Sequence, residues 1–168
     1  MSPVPRSGSF ADSYIGRLRS KIGHDMLHVP GVRSVLENAD GDILLHLRSD
    51  MKVWSFPGGG PEHGDDVLAQ AIRETKEETG LTMLNPKPFG FASDPKFSIL
   101  HYPNGDVCHY HDLVFHATDF DGELVQQNDE SLDVDWFSPF NLPDCLHTVP
   151  VTIDAFLRFK DSGEFQFF

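Results

Sequence analysis

Basic side chains, cysteines and long apolar runs are all scarce in this chain, and each scarcity closes off a class of protein. Lys and Arg together number 13 against 26 Asp and Glu, a formal net charge of −13. No basic run or stripe interrupts that excess. A protein that embraces a nucleic-acid polymer needs the reverse balance, so no nucleic-acid polymer is expected as a partner. The two cysteines, Cys108 and Cys145, make neither a disulfide framework nor a metal-ligand spacing. They read as ordinary thiols of a reducing compartment. No apolar run is long enough to span a bilayer, and the opening MSPVPRSGSFADS lacks the apolar stretch of a secretory signal. No membrane partner and a cytoplasmic location are therefore expected.

What is present suffices for a real core. Of 168 residues, 39% are hydrophobic and 14 are Phe, which fits one globular domain over 1–168. Residues 1–28 read as a loose extension, rich in Pro, Ser and Gly up to residue 12, followed by a short helix over 13–22. Arg17, Arg19 and Lys21 make that helix the one locally basic piece, read as a solvated face more readily than as a phosphate contact. Strands are expected at Val32–Glu37 and Ile43–Arg48, joined by Asn38-Ala39-Asp40-Gly41 as a hairpin turn. Trp54–Phe56 is a short extended piece. A helix runs from about Asp65 to Thr79 and stops at Gly80. Further strands follow at Phe89–Ala92, Phe97–Tyr102, Val107–Ala117 and Val134–Phe137, with a turn at Pro103-Asn104-Gly105-Asp106, and a last helix covers Val151–Lys160. Strands on either side of a central helix, with a closing helix, imply an α+β fold, a layered sheet with helices on both faces.

The functional information concentrates in residues 58–81, GGGPEHGDDVLAQAIRETKEETGL. Glu74, Glu77 and Glu78 stand at i, i+3 and i+4, so a helix puts them on one face. A merely solvated face mixes signs, with Glu four residues before Lys or Arg. Here Glu74 is followed by Glu78, and Arg73 precedes Glu77 in the weaker orientation. The other side, Leu68, Ala71, Ile72, Thr75 and Thr79, is a mostly apolar stripe suited to a core. A row of carboxylates this close is unfavourable unless a hard divalent cation with oxygen ligands sits between them.

Gly59, five residues, Asp65, seven residues and then Arg73-Glu74-Thr75-Lys76-Glu77-Glu78-Thr79-Gly80-Leu81 resembles the Nudix box, Gly-x5-Glu-x7-Arg-Glu-U-x-Glu-Glu-x-Gly-U with U apolar. Asp65 stands where that signature has Glu, and Thr75 where it has an aliphatic residue. Weaker likeness extends over roughly residues 30–140. The resemblance implies an α/β/α sandwich around a mixed β-sheet. It also implies Mg²⁺-dependent hydrolysis of a pyrophosphate bond in a nucleoside diphosphate linked to another moiety, with Mn²⁺ able to stand in. Nucleotide sugars such as ADP-ribose, dinucleoside polyphosphates and nucleoside triphosphates are the candidate substrates. By position in the box, Glu74, Glu77 and Glu78 look like metal ligands, with the Gly58 carbonyl as a further one.

Arg73 resembles the family arginine that orients a glutamate, or else is an ordinary surface pair. Asp65 suits helix capping better than catalysis. Glu130, ahead of Trp136, is either an additional ligand or general base, or a solvated loop acid beside Asp129. The base stays open between the box and Glu130. Arg48, Trp54, Phe56 and Tyr102 are the candidate substrate contacts, the three aromatics by stacking on a base, although aromatics of the core are the commoner case. His109 and His111 alternate on one strand and share a face, with His101 placed to sit across the hairpin. A zinc site is conceivable there, but hydrogen-bonding or stacking groups are the favoured reading. A catalytically weak nucleotide-sensing module on the same fold is the alternative function, motivated by Asp65 and Thr75. A homodimer is the default oligomer only because dimers are common.

Overall fold

The computed structural model describes residues 10–168; the expected looseness of residues 1–12 falls almost wholly outside them. After a turn of 3-10 helix at Phe10–Asp12, α1 (Tyr14–Ile22) leads into β1 (Leu27–Leu36), β2 (Ile43–Arg48), β3 (Trp54–Ser55) and β4 (Gly58–Gly59). Then come α2 (Val67–Thr79), β5 (Thr82–Leu84), β6 (Lys87–Ala92), α3 (Pro95–Ser98) and β7 (Ile99–His101). The chain ends with β8 (Val107–Ala117), β9 (Asp119–Asp121), β10 (Ser131–Phe137), α4 (Thr148–Ser162) and β11 (Gln166–Phe167).

The spine is a parallel ladder, β1 against β8, in unbroken register from Leu27↔Cys108 to Leu36↔Ala117. β4 takes the far edge of β1. β6 and β7 share the other edge of β8, β6 along Asp112–His116 and β7 along Val107–His109. β11 closes that side against β6. The sheet is therefore mixed, and a second, antiparallel sheet runs β10-β2-β3. Side chains alternate between two apolar clusters, as the period of two requires. Val35, Ile43, Leu45 and Val114 join Val149, Ile153 and Phe156 of α4 in one. Val32, Leu36, Leu44 and Phe115 join Ala71 of α2 in the other. Sheets thus lie between α2 and α4, the expected α+β sandwich.

Local departures from expectation have physical causes. Asn38-Ala39-Asp40-Gly41 does turn the chain, with the Asn38 side chain accepting from the amides of Asp40 and Asp42. It does not make a hairpin ladder: after one antiparallel bridge, Glu37↔Ile43, the strands part into different sheets. β1 starts five residues earlier than expected despite Pro30. β4 pairs only with Val32 and Arg33, so at Pro30 the missing N–H falls on an unpaired edge. Residues 95–98 form a helical turn with Pro95 at its start, where a missing N–H costs nothing. Pro150 likewise sits in the first turn of α4, which lets that helix begin at Thr148. Arg19 is not a solvated cation. It is 9% exposed and donates to the carbonyls of Gly23, Asp25 and Val107, fastening α1 to β8. No helix among the described residues is long and apolar enough to cross a membrane.

Candidate active site

The site is built where α2 lies over β4. Asp66 caps α2 by accepting from the Ala69 amide at 2.8 Å, and Gly80 ends it in the left-handed region at φ 84°. Capping by Asp65 is therefore corrected by one residue. Asp65 instead accepts from Arg73 Nε at 2.6 Å. The buried face of α2 is also wider than the apolar stripe. Ala71, Thr75 and Thr79 are buried as expected, but so are Gln70, Glu74 and Glu78, while Leu68 in the first turn stays 44% exposed.

Glu74 and Glu78 are 3% and 6% exposed. Buried carboxylates need donors; β4 supplies one to Glu78, and Arg73 of α2 stands against Glu74. The Gly58 amide donates to Glu78 Oε2 at 2.8 Å. Gly59 is there because nothing larger fits: a Cβ would lie 2.6 Å from the Glu74 carboxyl carbon. Gln70 donates to the Gly59 carbonyl at 2.9 Å, holding the turn to the helix. Glu130 completes the cluster. One oxygen each from Glu74, Glu78 and Glu130 lies within 4.8 Å of the other two. Burial pushes Glu78 well above the usual carboxylate range. Glu74 and Glu130 push the same way, against the Gly58 N–H and the charge of Arg48.

Glu77 lies outside this cluster. It is exposed and accepts from Arg73 Nη1 at 3.0 Å. The same nitrogen is 3.0 Å from Glu74 Oε1, so Arg73 bridges Asp65, Glu74 and Glu77. Burial alone would lower its pKa, but the three carboxylates raise it. Arg73 is thus more than a solvated surface pair.

Three residues not singled out from the sequence hold the cluster together. Asn128 is a double staple. Its side-chain oxygen accepts from the amides of Glu130 and Ser131 at 2.9 and 2.8 Å. Its side-chain nitrogen donates to the carbonyls of Glu77 and Glu78 at 3.1 and 3.2 Å, which the helix end leaves unsatisfied. Asn two residues before an acid in a polar loop was the available signal. Ser131 Oγ donates to the Glu78 carbonyl at 2.9 Å. With that hydrogen used, His46 Nδ1–H donates to Ser131 Oγ at 2.8 Å. His46 Nε2 then carries a lone pair. It is buried without a hydrogen-bond partner and lies 3.8 Å from Glu78 Oε1. Burial, aided by the charge of Arg48, lowers the His46 pKa from 6.5 to about 4.

Of the four expected substrate contacts, two come together. Arg48 grips Asp50 through two hydrogen bonds, 2.9 and 2.7 Å, and lies 5.8 Å from the centre of the Tyr102 ring. Tyr102 shares a 2.6 Å hydrogen bond with the Tyr110 hydroxyl. The other two pack on the core, the commoner of the two readings the sequence offered. Phe56 is 4% exposed and belongs to the α4-side core, so it offers no free ring face. Trp54 packs edge-on against Phe137 at 4.8 Å and against the same core. Both are extended residues whose apolar faces the core claims first.

Three carboxylates at a glycine turn, one held above its normal range by burial and its neighbours, make a donor set that fits a hard divalent cation. The orphaned His46 lone pair points to the same excess of electron density. The comparisons with known proteins agree with that chemistry. A family model described as NUDIX domain matches residues 27–152. A putative 8-oxo-dGTP diphosphatase of Bacillus subtilis is 28% identical over 138 residues, 82% of this chain and 84% of that one. An RNA pyrophosphohydrolase of Roseobacter denitrificans is 28% identical over 151 residues, covering 80% and 91%. The crystal structure of a MutT NUDIX hydrolase from Burkholderia pseudomallei aligns with a TM-score of 0.61 at 23% identity, covering 77% of this chain and 98% of that one; it bears on the fold alone.

Proposed function

This chain belongs to the NUDIX domain family and is a hydrolase of pyrophosphate bonds, and from that premise we propose that it acts, with Mg²⁺, on a small molecule in which a nucleoside diphosphate is linked to a further group. The observation that carries the reading is the meeting of Glu74, Glu78 and Glu130 over the Gly58–Gly59 turn. Those three would hold the ion, with Glu77 at the exposed rim and the Gly58 carbonyl as further ligands. Bound there, Mg²⁺ supplies neutralisation of phosphate oxygens and an acidified water.

The chain's own part is positioning. Arg73, fixed by Asp65, keeps Glu74 and Glu77 in place on α2. Asn128 sets Glu130 on a tethered loop, where it serves as ligand or as base toward the attacking water. Arg48, whose charge reaches Glu78, would supply a cation for phosphate, and Tyr102 beside Arg48 a ring for the base. The small-molecule class is favoured over an RNA end by the charge of −13, since a polymer brings many phosphates that this surface repels. The sensor alternative loses its main motive, because Asp65 still reaches Arg73 at 2.6 Å. Incubation with Mg²⁺ and a panel of ADP-ribose, other nucleotide sugars, dinucleoside polyphosphates, nucleoside triphosphates including 8-oxo-dGTP, and 5′-triphosphorylated RNA tests this, with products identified by mass. Turnover of a small member supports the proposal. Turnover of RNA alone, or binding without hydrolysis of anything, overturns it.

A further inference from the structure

We propose that His28, His109 and His111 form a second metal site, for Zn²⁺ or a cation of similar softness, sharing no residue with the carboxylate cluster. The parallel register sets His28 beside His109 and Pro30 beside His111, and residues 109 and 111 share a strand face. The three ring centroids are 5.0, 5.3 and 4.4 Å apart for 28–109, 28–111 and 109–111. One ring nitrogen from each lies within 4.8 Å of the other two. His101, the residue expected across the hairpin, is exposed at the end of β7 and lies outside the set; His28, which no strand was expected to carry, takes its place.

The donor chemistry selects the ion. Three neutral imidazoles suit Zn²⁺ and its neighbours, whereas Mg²⁺ prefers oxygen. The second shell is also in place. His109 Nε2 lies 2.9 Å from the Ser93 carbonyl, which can only accept. His109 is therefore the tautomer with its proton on Nε2 and its lone pair on Nδ1, and a backbone carbonyl holding the other ring N–H is the usual support of a metal-bound histidine. His28 Nδ1 and His111 Nε2 face each other at 3.0 Å, one donating its N–H to the other; with an ion between them, that hydrogen moves to the donor ring's other nitrogen and both facing nitrogens offer lone pairs. Two nitrogens on a tetrahedral zinc lie about 3.4 Å apart, given bonds of about 2.0–2.1 Å. That pair needs to open by only a few tenths of an ångström, on a ladder that holds register over its whole length. His28 is exposed and His109 is 9% exposed, so the ion enters from solvent on one side and keeps a fourth position for water.

The test is a calorimetric titration of the untagged protein with Zn²⁺, with Co²⁺ absorption as a second readout. The wild type is expected to bind about one equivalent with a dissociation constant well below about 100 µM, and Co²⁺ to give ligand-field bands. His28→Ala, at an exposed position, and His109→Ala should each weaken Zn²⁺ by at least about tenfold. Glu78→Gln should leave that affinity unchanged. No binding by the wild type would show a histidine stack joined by that hydrogen bond and overturn the proposal. So would unchanged affinity in folded His28→Ala, or loss of Zn²⁺ in Glu78→Gln in place of the histidine variants.

Discussion

Acid should weaken this fold at His46, and the size of that residue's share follows from where its ring sits. His46 is 1% exposed, its Nε2 has no hydrogen-bond partner, and Arg48 stands nearby, so its pKa falls from 6.5 to about 4. A histidine with a depressed folded pKa stays neutral in the native state and protonates first in the unfolded chain. Its contribution is therefore complete above pH 6.5 and is lost as pH falls from there through 4. That gap is worth about 3 kcal/mol at about 1.4 kcal/mol per pH unit, and so complete a burial leaves little solvent screening to discount. Urea unfolding of wild type and His46→Gln from pH 7.5 to pH 4 reads it, at fixed ionic strength and without metal. The variant pays a constant penalty for its altered bond to Ser131, which cancels in the comparison of slopes. The wild type should lose about 3 kcal/mol more than the variant across that range. Parallel pH profiles would refute the reasoning, and so would a wild type that gains on the variant as acid is added.

Glu77→Gln and Glu78→Gln should each lower Mg²⁺-dependent turnover at least about hundredfold with the fold intact; near-normal turnover in either removes that residue from the ion's ligands. Thr75→Val should stabilise the protein. Thr75 is fully buried with a hydroxyl lacking a hydrogen-bond partner, so a methyl in its place is worth about 1 kcal/mol, or about 2–4 °C in Tm by calorimetry; a lower Tm would show that the hydroxyl is satisfied after all. Asn128→Ala should cost about 1–3 kcal/mol in urea unfolding and weaken Mg²⁺ affinity by releasing Glu130. Unchanged Mg²⁺ affinity would mean that Glu130 takes its place without that tether.

The helix at the site was readable from sequence because its signals are local: a glycine stop, acids at i, i+3 and i+4, and an apolar stripe. What surrounds it depends on contacts distant in the chain. Asp66 rather than Asp65 caps α2 because Arg73, eight residues on, draws Asp65 away. Glu78 is buried against an amide of β4 and Glu74 against a bare glycine there, which no helical pattern records. His46, Asn128 and Ser131 meet Glu78 from 32 to 53 positions away, and periodicity says nothing at that range. Phe56 and Trp54 stayed open between two roles for a related reason. An aromatic beside a glycine turn suits a cleft or a core equally, and only the packing of α4 decides. His28 was hidden by Pro30 and Gly31, which broke the strand pattern before the parallel partner was known.

The anchoring of the loop before β10 at Asn128 and Ser131 has a consequence for how such a protein can diversify. The loop's hydrogen bonds to α2 described above are made from residue 128 onward, and before them the Val125 amide donates to the Thr79 carbonyl. Gln126 and Gln127 are open to solvent. Residues inserted, deleted or exchanged there would be absorbed as slack at little entropic cost, while the acid at 130 kept its post. The chain has in effect a blank margin beside its carboxylate cluster, on which a different guest list can be written without redrafting the cluster itself.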